Sequence, residues 1–282
     1  KKLSNMEYPI WYKGSWKKAD EVQVSVKDVG FLRGYGIFDF FRIMDGKPVF
    51  LSDHLDRFIR SASLMGLKLT YTKAELATFI HELAAMSVDP CLGVKMVLTG
   101  GESPNGFDPA EQANLWILPG VFQFADPIKG MRLMSQVYVR EMAEIKSLNY
   151  AFAIRNWSQV KASGADDLIY HTIEHGVSES SRSNLFYVKD GVIHTPEAHI
   201  LEGITRKHVI ELARQQYSVK IGKCTLNDFL NADEVFTTGS TKRVVPILSI
   251  DGKEIGNGTR GPVAKQLYEM LLSLELRTKN EE

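Results

Sequence analysis

Residues 144–152 read EIKSLNYAF and place one lysine, Lys146, at the start of a largely apolar segment. The segment follows GMRLMSQVYVR (130–140), a run with strand character. A single lysine at a strand end is usually an exposed residue with no chemistry, whereas an amine in an apolar setting suits a reactive role. The nonapeptide alone does not choose between these interpretations, so the segments around it must.

The composition is that of a globular protein. The chain has 282 residues, 44% hydrophobic and 24% charged, with a net charge of zero. It is long enough for one large or two medium domains. Its zero net charge does not indicate binding to nucleic acid or to an anionic membrane. Two distant cysteines, Cys91 and Cys224, favour a reduced compartment. The first residues resemble no signal peptide and no run is long enough to span a bilayer, so we expect a cytoplasmic protein.

Local signals predict alternating hairpins and helices. An Asp-Gly pair between apolar runs favours a two-residue hairpin turn, because both turn residues need a positive φ. The three such pairs are Asp45-Gly46, Asp190-Gly191 and Asp251-Gly252. Helical periodicity covers 53–67, 72–86, 149–165, 204–217 and 261–276.

The domain boundary is predicted near residue 120. Pro119-Gly120 precedes VFQFADPIK (121–129), which has the character of a linker. We therefore expect an N-terminal α+β domain over 1–118, a linker over 119–128 and a C-terminal α+β domain over 129–282 that carries Lys146.

Two segments offer anion sites. LEGITRKHVIELARQQ (201–216) places Gly203 and Thr205 where a helix begins, and helix starts bind phosphate; the alternative is a plain threonine N-cap. EVFTTGSTKRVVPI (234–247) is a strand that runs into Ser240 and Thr241, whose hydroxyls beside a glycine suit an oxyanion nest. The alternative there is an ordinary turn.

Two charged residues add further chemistry. Arg57, on the helix DHLDRFIRSA (53–62), is a natural bidentate partner for phosphate, or else a surface arginine whose stem covers apolar side chains. Glu179 lies in VSESSRSNLFYV (177–188), just before a predicted strand. Its carboxylate suits a protonated pyridine nitrogen, or it is a solvated loop residue.

A pair of histidines raises the question of a metal site. HTIEH (171–175) has the spacing of a helical zinc site. Gly176 and the flanking apolar runs predict a hairpin instead, where the two rings would not converge, so we expect no metal.

The order of these segments is more specific than any one of them. Arg57, EIKSLN, SESSRSNLF, LEGITR and TTGST together closely resemble the class IV, fold-type IV family of pyridoxal-phosphate enzymes. That family contains D-amino-acid aminotransferases, branched-chain aminotransferases and aminodeoxychorismate lyases. The resemblance covers nearly the whole chain, including DVGFLRGYGIFDFFRIMDGKPVFLSDHLDRF (28–58). It implies a two-domain α+β fold that binds pyridoxal 5'-phosphate at the domain interface, and a homodimer.

The family's roles carry over position by position. Lys146 resembles the Schiff-base lysine that holds the cofactor and moves the substrate Cα proton, and Glu179 resembles the partner of the pyridine nitrogen. Tyr150 resembles a tyrosine near the cofactor's phenolic oxygen, with a one-residue gap. The remaining matches form a phosphate cup: Arg57, Gly203, Ile204 through its backbone N–H, Thr205, Ser240 and Thr241. Free lysine has a pKa of about 10.4 that burial lowers, so an apolar segment suits an amine that must be neutral for part of a cycle.

The substrate is less clearly indicated. D-amino-acid enzymes keep an arginine in the stretch that matches VLTGGESP (97–104), where this chain has Gly100-Gly101, and a tyrosine where it has Phe31. Branched-chain enzymes carry small residues and a glutamate where this chain reads Thr241-Lys242-Arg243. This chain therefore matches neither the D-amino-acid pattern nor the branched-chain pattern.

A substrate carboxylate still needs a cation. Arg182 in ESSRSN (179–184) lies close to a cofactor contact, and Arg33 lies in GFLRGYGIF (30–38), a loop that in this family often reaches the neighbouring subunit's site. The alternative for Arg182 and Arg33 is a structural ion pair or a solvent-facing loop, and Arg42 and Arg243 are weaker candidates.

We therefore expect an aminotransferase for D-amino acids such as D-alanine or D-glutamate, with 2-oxoglutarate as the 2-oxo acid. The similarity of EIKSLN and EGITR to the D-amino-acid enzymes favours this substrate class. The alternatives are an L-branched-chain aminotransferase, an aminodeoxychorismate lyase and a non-catalytic phosphate-ligand binding protein.

Overall fold

The chain folds into two compact units. The computed structural model describes residues 7–124, 126 and 129–281, with side chains as far as residue 277. The first unit comprises Lys1–Gln123, Ile145–Asn149 and Arg277–Glu282, and the second comprises Phe124–Glu144 and Tyr150–Leu276. Both contain helices and strands, so the predicted α+β class is confirmed. Within the described residues, no helix is both long and apolar enough to cross a bilayer.

The first unit is built on a six-stranded antiparallel sheet in the order β2-β1-β6-β5-β3-β4. Its strands are β1 (Ile10–Tyr12), β2 (Ser15–Lys17), β3 (Gly36–Met44), β4 (Lys47–Pro48), β5 (Cys91–Thr99) and β6 (Asn114–Val121). Its helices are α1 (Val29–Arg33), α2 (Leu51–Met65) and α3 (Lys73–Met86).

Alternation along β3 decides which face of this sheet is buried. Ile37, Phe41 and Ile43 are fully buried on one face and join the core with Leu55 and Phe58 of α2.

The helices are bounded as their sequences predict. Gly66 ends α2 at a φ of 72°, and Thr72 begins α3 with a capping box.

The second unit contains a nine-stranded mixed sheet. The order is β12-β11-β10-β13-β14-β7-β8-β9, with β15 paired to β14. Its strands are β7 (Met131–Val137), β8 (Asp167–Thr172), β9 (Gly176–Ser180), β10 (Asn184–Lys189), β11 (Val192–Pro196), β12 (Ser218–Gly222), β13 (Glu234–Gly239), β14 (Arg243–Ile250) and β15 (Lys253–Glu254). Its helices are α4 (Ala151–Ala162), α5 (Ile204–Ala213), α6 (Leu226–Leu230) and α7 (Pro262–Glu281).

The local predictions hold with small shifts at the ends. All three Asp-Gly pairs form hairpin turns with positive φ at both residues, and the HTIEH segment forms the β8–β9 hairpin. The five helical runs are α2, α3, α4, α5 and α7. Helix α5 ends at Ala213, earlier than predicted, because the residues from Arg214 onward form a turn.

The compact units interleave along the chain, whereas the predicted domains follow one another. Strand β6 continues through Val121 and pairs there with Leu92, inside the predicted linker 119–128. Of that linker, Ala125, Pro127 and Ile128 lie outside the described residues. The segment Ile145–Asn149 belongs to the first unit because its backbone pairs with β3.

Candidate active site

Lys146 is held beside β3. The Phe38 N–H donates to the Lys146 carbonyl at 2.9 Å, and the Leu148 N–H donates to the Gly36 carbonyl at 3.0 Å. The Lys146 Nζ lies 4.5 Å from the centroid of the Phe38 ring, and Ile145 next to it is part of the core. The surface-lysine interpretation is therefore wrong. The strand β7 ends nine residues earlier, at Val137, so an irregular segment rather than a strand end positions the amine.

Arg57 is fixed by a buried carboxylate. Its Nε and an Nη donate to Asp39 at 2.8 and 2.7 Å, while Nδ1 of His54, one turn earlier on α2, lies 2.8 Å from Asp39 Oδ1. Burial by itself raises the pKa of Asp39, but the charges and hydrogen bonds of Arg57 and His54 outweigh it and hold that pKa well below its usual range. Only 10% of the Arg57 side chain is exposed, so it is not a surface arginine.

Asp39 was missed in the sequence, although the sequence contains a signal for it. Asp39 occupies an inward position of β3, in the same alternating series as Ile37 and Phe41. A carboxylate there needs a cationic partner, and His54 and Arg57 share one face of the next helix.

The two residues of the first unit that are predicted to bind substrate, Phe31 and the carboxylate candidate Arg33, lie at the surface. Phe31 and Arg33 belong to α1; the Phe31 ring is 70% exposed, and Arg33 Nε donates to the Gly106 carbonyl at 3.2 Å. A Cβ on Gly100 would lie 2.6 Å from Val29 Cγ2. The close packing of α1 against β5 therefore leaves no room for an arginine at position 100.

Glu179 lies on β9, not in a loop, and only 5% of it is exposed. Its Oε1 accepts a hydrogen bond from Arg140 Nε at 2.9 Å, and its Oε2 accepts one from the Leu201 N–H at 3.0 Å. Asn184 Nδ2 lies 3.5 Å from the same Oε2. The solvated-loop interpretation is wrong, because this carboxylate is buried and paired. Arg140 was missed: 39 residues separate the pair, and no sequence spacing indicates it.

The start of α5 is the predicted helix start. Gly203 is the N-cap residue and makes no side-chain cap, while Thr205 is the second helical residue and is buried. The threonine N-cap interpretation is therefore wrong. A Cβ on Gly203 would lie 2.0 Å from Asn184 Oδ1, so glycine lets Asn184 lie against the helix start. The first N–H groups of a helix, here from Ile204 onward, have no intrahelical acceptor and favour anions.

Buried hydroxyls lie close to Asn184 in the second unit. In the part of the chain that the structure describes, the side-chain oxygens of Ser180, Ser183 and Thr238 are buried without a hydrogen-bond partner. Thr238 is the register partner of Asn184, and Ser180 donates its N–H to the Ser183 carbonyl at 2.9 Å. A buried unsatisfied polar group costs about 1–3 kcal/mol, so this cluster favours a polar ligand.

The loop between β13 and β14 carries the other predicted phosphate contacts. Ser240 is half-buried and Thr241 is exposed, and the Lys242 N–H closes the turn onto the Gly239 carbonyl at 3.0 Å. Their hydroxyls are therefore accessible.

Tyr150 begins α4 as its N-cap residue, next to an aromatic cluster. The rings of Tyr138 and Phe152 stack at 3.7 Å, and Tyr170 meets Tyr138 edge-on at 5.0 Å. Burial, followed by the charge of Asp167, raises the pKa of Tyr170 well above its usual range.

The remaining arginine candidates separate by burial. Arg243 is buried and pairs with Glu275 at 2.8 Å, over the ring of Phe124, so it is a structural ion pair. Arg42 is buried and donates to the sulfur of Met44 at 3.6 Å. Arg182 keeps 52% of its side chain exposed, and its Nη2 lies 3.7 Å from Asp167.

The similarity of the chain to a known family identifies its class. A family model described as amino-transferase class IV matches residues 36–250, and the chain belongs to this family. The predicted family is confirmed: the protein is a transaminase, and enzymes of this class use pyridoxal phosphate.

Individual relatives point to more than one substrate. A putative branched-chain-amino-acid aminotransferase of Methanocaldococcus jannaschii is 32% identical over 285 residues, covering 96% of each chain. A D-alanine aminotransferase of Staphylococcus haemolyticus is 32% identical over 270 residues, covering 92% of this chain and 95% of the relative. The branched-chain aminotransferase of Thermoproteus uzoniensis, solved with norvaline, is 27% identical with a TM-score of 0.89, covering 97% of this chain and 96% of the other.

The side chains present suit pyridoxal phosphate. The cofactor needs an amine, a carboxylate and anion-binding groups; Lys146, Glu179 and Arg57 are all fixed by backbone or ion-pair contacts. The unpaired hydroxyls of Ser180, Ser183 and Thr238 add donors for a phosphorylated ligand.

Proposed function

We propose that this class IV aminotransferase binds pyridoxal 5'-phosphate and transfers an amino group from D-amino acids such as D-alanine or D-glutamate to a 2-oxo acid such as 2-oxoglutarate. The buried Glu179 carboxylate, paired with Arg140 and with the Leu201 N–H, is the observation that carries the cofactor assignment. Such a group holds a ring nitrogen in its protonated form. When bound, pyridoxal phosphate supplies an electron sink for negative charge at the substrate Cα.

Lys146 holds the cofactor and moves the substrate proton. Its backbone is tied to β3, and its amine lies against the Phe38 ring, which excludes water from one side. An amine held in this way returns to the same position after each proton transfer, and such positioning favours the reaction.

Each unit offers its own candidate phosphate contacts: Arg57 in the first unit, and the N–H groups at the start of α5 and the hydroxyls of the β13–β14 loop in the second. Asp39 orients the Arg57 guanidinium, so the arginine is held in place before the anion arrives. Ile204 contributes through its backbone, and Thr205, Ser240 and Thr241 contribute hydroxyls. Tyr150, at the start of α4, is the proposed partner of the cofactor's phenolic oxygen.

The substrate carboxylate binds Arg182 or Arg33. The Arg182 guanidinium is half exposed and lies 5.6 Å from the Trp157 ring, so it is oriented yet accessible. Arg33 belongs to the exposed helix α1 and is a contact from a second subunit of a homodimer. We also propose a cytoplasmic location, which agrees with two free thiols at Cys91 and Cys224.

The D-amino-acid preference is supported by similarity to D-alanine aminotransferases and by charge at the loop after β13. Lys242 lies in the triplet Thr241-Lys242-Arg243, where branched-chain enzymes carry small residues and a glutamate, and an ammonium there disfavours a branched apolar side chain. The second candidate is an L-branched-chain aminotransferase, which the M. jannaschii and T. uzoniensis relatives favour. An aminodeoxychorismate lyase, using the same lysine for elimination, is the third.

Turnover with D-alanine and with L-leucine, each with 2-oxoglutarate, tests the substrate. We expect D-alanine to be the better donor. Activity on L-leucine alone rejects the D-specific proposal, and elimination from aminodeoxychorismate without amino transfer indicates the lyase.

The Lys146 assignment has its own test. We expect the cofactor-loaded protein to be yellow, and borohydride to bleach the visible band and leave a mass adduct on Lys146. The Lys146→Ala protein should form no such adduct, while Lys189→Ala, a change of an exposed lysine paired with Asp233, should behave as wild type. A colourless wild-type protein that takes up no pyridoxal phosphate would instead indicate a non-catalytic binding protein.

A further inference from the structure

A buried carboxylate gathers two cations in the second unit. Asp167, the first residue of β8, is 1% exposed. Its Oδ1 accepts a hydrogen bond from the Ser181 hydroxyl. Its Oδ2 lies 3.5 Å from Lys242 Nζ and 3.7 Å from Arg182 Nη2. Two distant segments, 181–182 and the loop with Lys242, therefore meet at the Asp167 carboxylate.

The cluster carries more positive than negative charge. Lys242 and Arg182 contribute two positive charges, and Asp167 contributes one buried negative charge. Asp166 also acts on Lys242, but it is exposed and its carboxylate accepts the Arg132 N–H at 2.8 Å. The pKa of Lys242 is lowered, mainly by burial and further by the charge of Arg182, and Asp167 offsets this only in part. At Asp167 itself two cations share one buried carboxylate, so a carboxylate ligand can pair with the cations from their exposed side.

The two cations lie close together, and both side chains retain exposed surface. Because both cations approach the same Asp167 oxygen, they lie within about 7 Å of each other. The Lys242 side chain is 17% exposed and that of Arg182 is 52% exposed, so a ligand can reach both. The Arg182 guanidinium also lies 5.6 Å from the Trp157 ring, which limits its orientations.

We propose that Lys242 and Arg182 together bind one carboxylate group of the substrate, with Asp167 as the positioning residue that holds the two cations side by side. The proposal deepens the proposed function and rests on it for the identity of the substrate. Arg182 presents a planar fork to the incoming carboxylate, and Lys242 adds a point charge on a flexible stem. Of the two cations, only Arg182 stands out in the sequence alone as a candidate for this role.

The carboxylate has two sources, the α-carboxylate of every substrate or the distal carboxylate of 2-oxoglutarate and glutamate. Steady-state kinetics of the cofactor-loaded enzyme with pyruvate and with 2-oxoglutarate separates them. We expect Lys242→Met to raise KM about tenfold or more with a smaller change in kcat, and Lys242→Arg to restore KM. If KM rises for both acids, the two cations bind the α-carboxylate. If KM rises for 2-oxoglutarate alone, they bind its distal carboxylate.

Lys161 provides a matched control. Its Nζ lies 5.7 Å from the same Trp157 ring, yet it is exposed and is not one of the two cations paired with Asp167. Lys161→Met should leave both KM values within about twofold of wild type. If Lys242→Met does not fold, Lys242→Gln keeps a polar side chain without the charge and is expected to raise KM in the same way.

Three results would overturn the proposal: an unchanged KM for both acids in the uncharged variants, an equal loss in Lys242→Arg, or an equal loss in the Lys161 control. Calorimetric titration with glutarate distinguishes failure of the proposed carboxylate site from failure of the proposed function. A protein that transfers no amino group refutes the function; glutarate binding that is lost in Lys242→Met still supports the carboxylate site, and no binding to wild type rejects it.

Discussion

At the scale of single residues, the paired carboxylates determine where the cations lie. Asp39 holds Arg57, Glu179 holds Arg140, and Asp167 holds Lys242 and Arg182. Each carboxylate is nearly fully buried. Removing Asp39 or Glu179 would leave a largely buried arginine without compensation, whereas Arg182 is half exposed and would lose less. The proposed ligand-binding cations Arg57, Arg182 and Lys242 are thus fixed before a ligand arrives.

Asp39→Asn tests this arrangement. Because it leaves Arg57 buried without its ion pair, we expect a loss of about 3–5 kcal/mol in the free energy of unfolding at pH 7, measured in urea, together with weaker binding of pyridoxal phosphate. Asp56 is the matched control, since its ion pair with Lys73 is exposed. Asp56→Asn should change stability by about 0.5 kcal/mol or less. Equal losses in the two variants would contradict the assigned role.

At the scale of elements, the start of α5 combines two functions. It presents backbone N–H groups to an anion, and it lies against Asn184, whose amide also binds the Leu201 carbonyl at 2.8 Å. Since Asn184 Nδ2 lies 3.5 Å from Glu179, the helix start and the carboxylate are joined through one amide side chain.

Gly203→Ala tests the close approach. The new Cβ would displace Asn184, so we expect a loss of about 1–3 kcal/mol in stability and a clear rise in the dissociation constant of pyridoxal phosphate, measured by fluorescence titration. Gly222 is the control, because nothing lies within 4 Å of a Cβ built there. If Gly222→Ala weakens cofactor binding as much as Gly203→Ala, the assigned role of the helix start is wrong.

At the scale of the whole molecule, an exposed apolar surface supports the proposed dimer. Val26, Phe31 and Leu32 lie on or just before α1 and are 71%, 70% and 41% exposed. Exposed large apolar side chains on one short helix and its approach are a candidate interaction surface.

Light scattering tests the oligomer. We expect a mass of about twice 31.7 kDa for the wild type, and a shift toward the monomer in Phe31→Asp, because a carboxylate in a buried apolar interface is unfavourable. Ile173 in the β8–β9 turn is fully exposed, so Ile173→Asp should leave the mass unchanged. A monomeric wild type would reject the homodimer.

The sequence by itself determined the local structure and the family. Asp-Gly pairs specify their turns through backbone conformation, and the 3.6-residue period specifies the helices, because both depend on neighbouring residues. The order of the segments around Lys146, Glu179 and Thr205 identified the family without any knowledge of distances.

Only the tertiary structure decided which side chains meet. Arg140 and Glu179 are 39 residues apart, and Lys242 and Asp167 are 75 apart. Such pairs depend on strand order and register, which local propensity does not encode. The pairing of Ile145–Asn149 with β3 has the same cause: the backbone of a distant strand, rather than the neighbouring residues, fixes the position of Lys146.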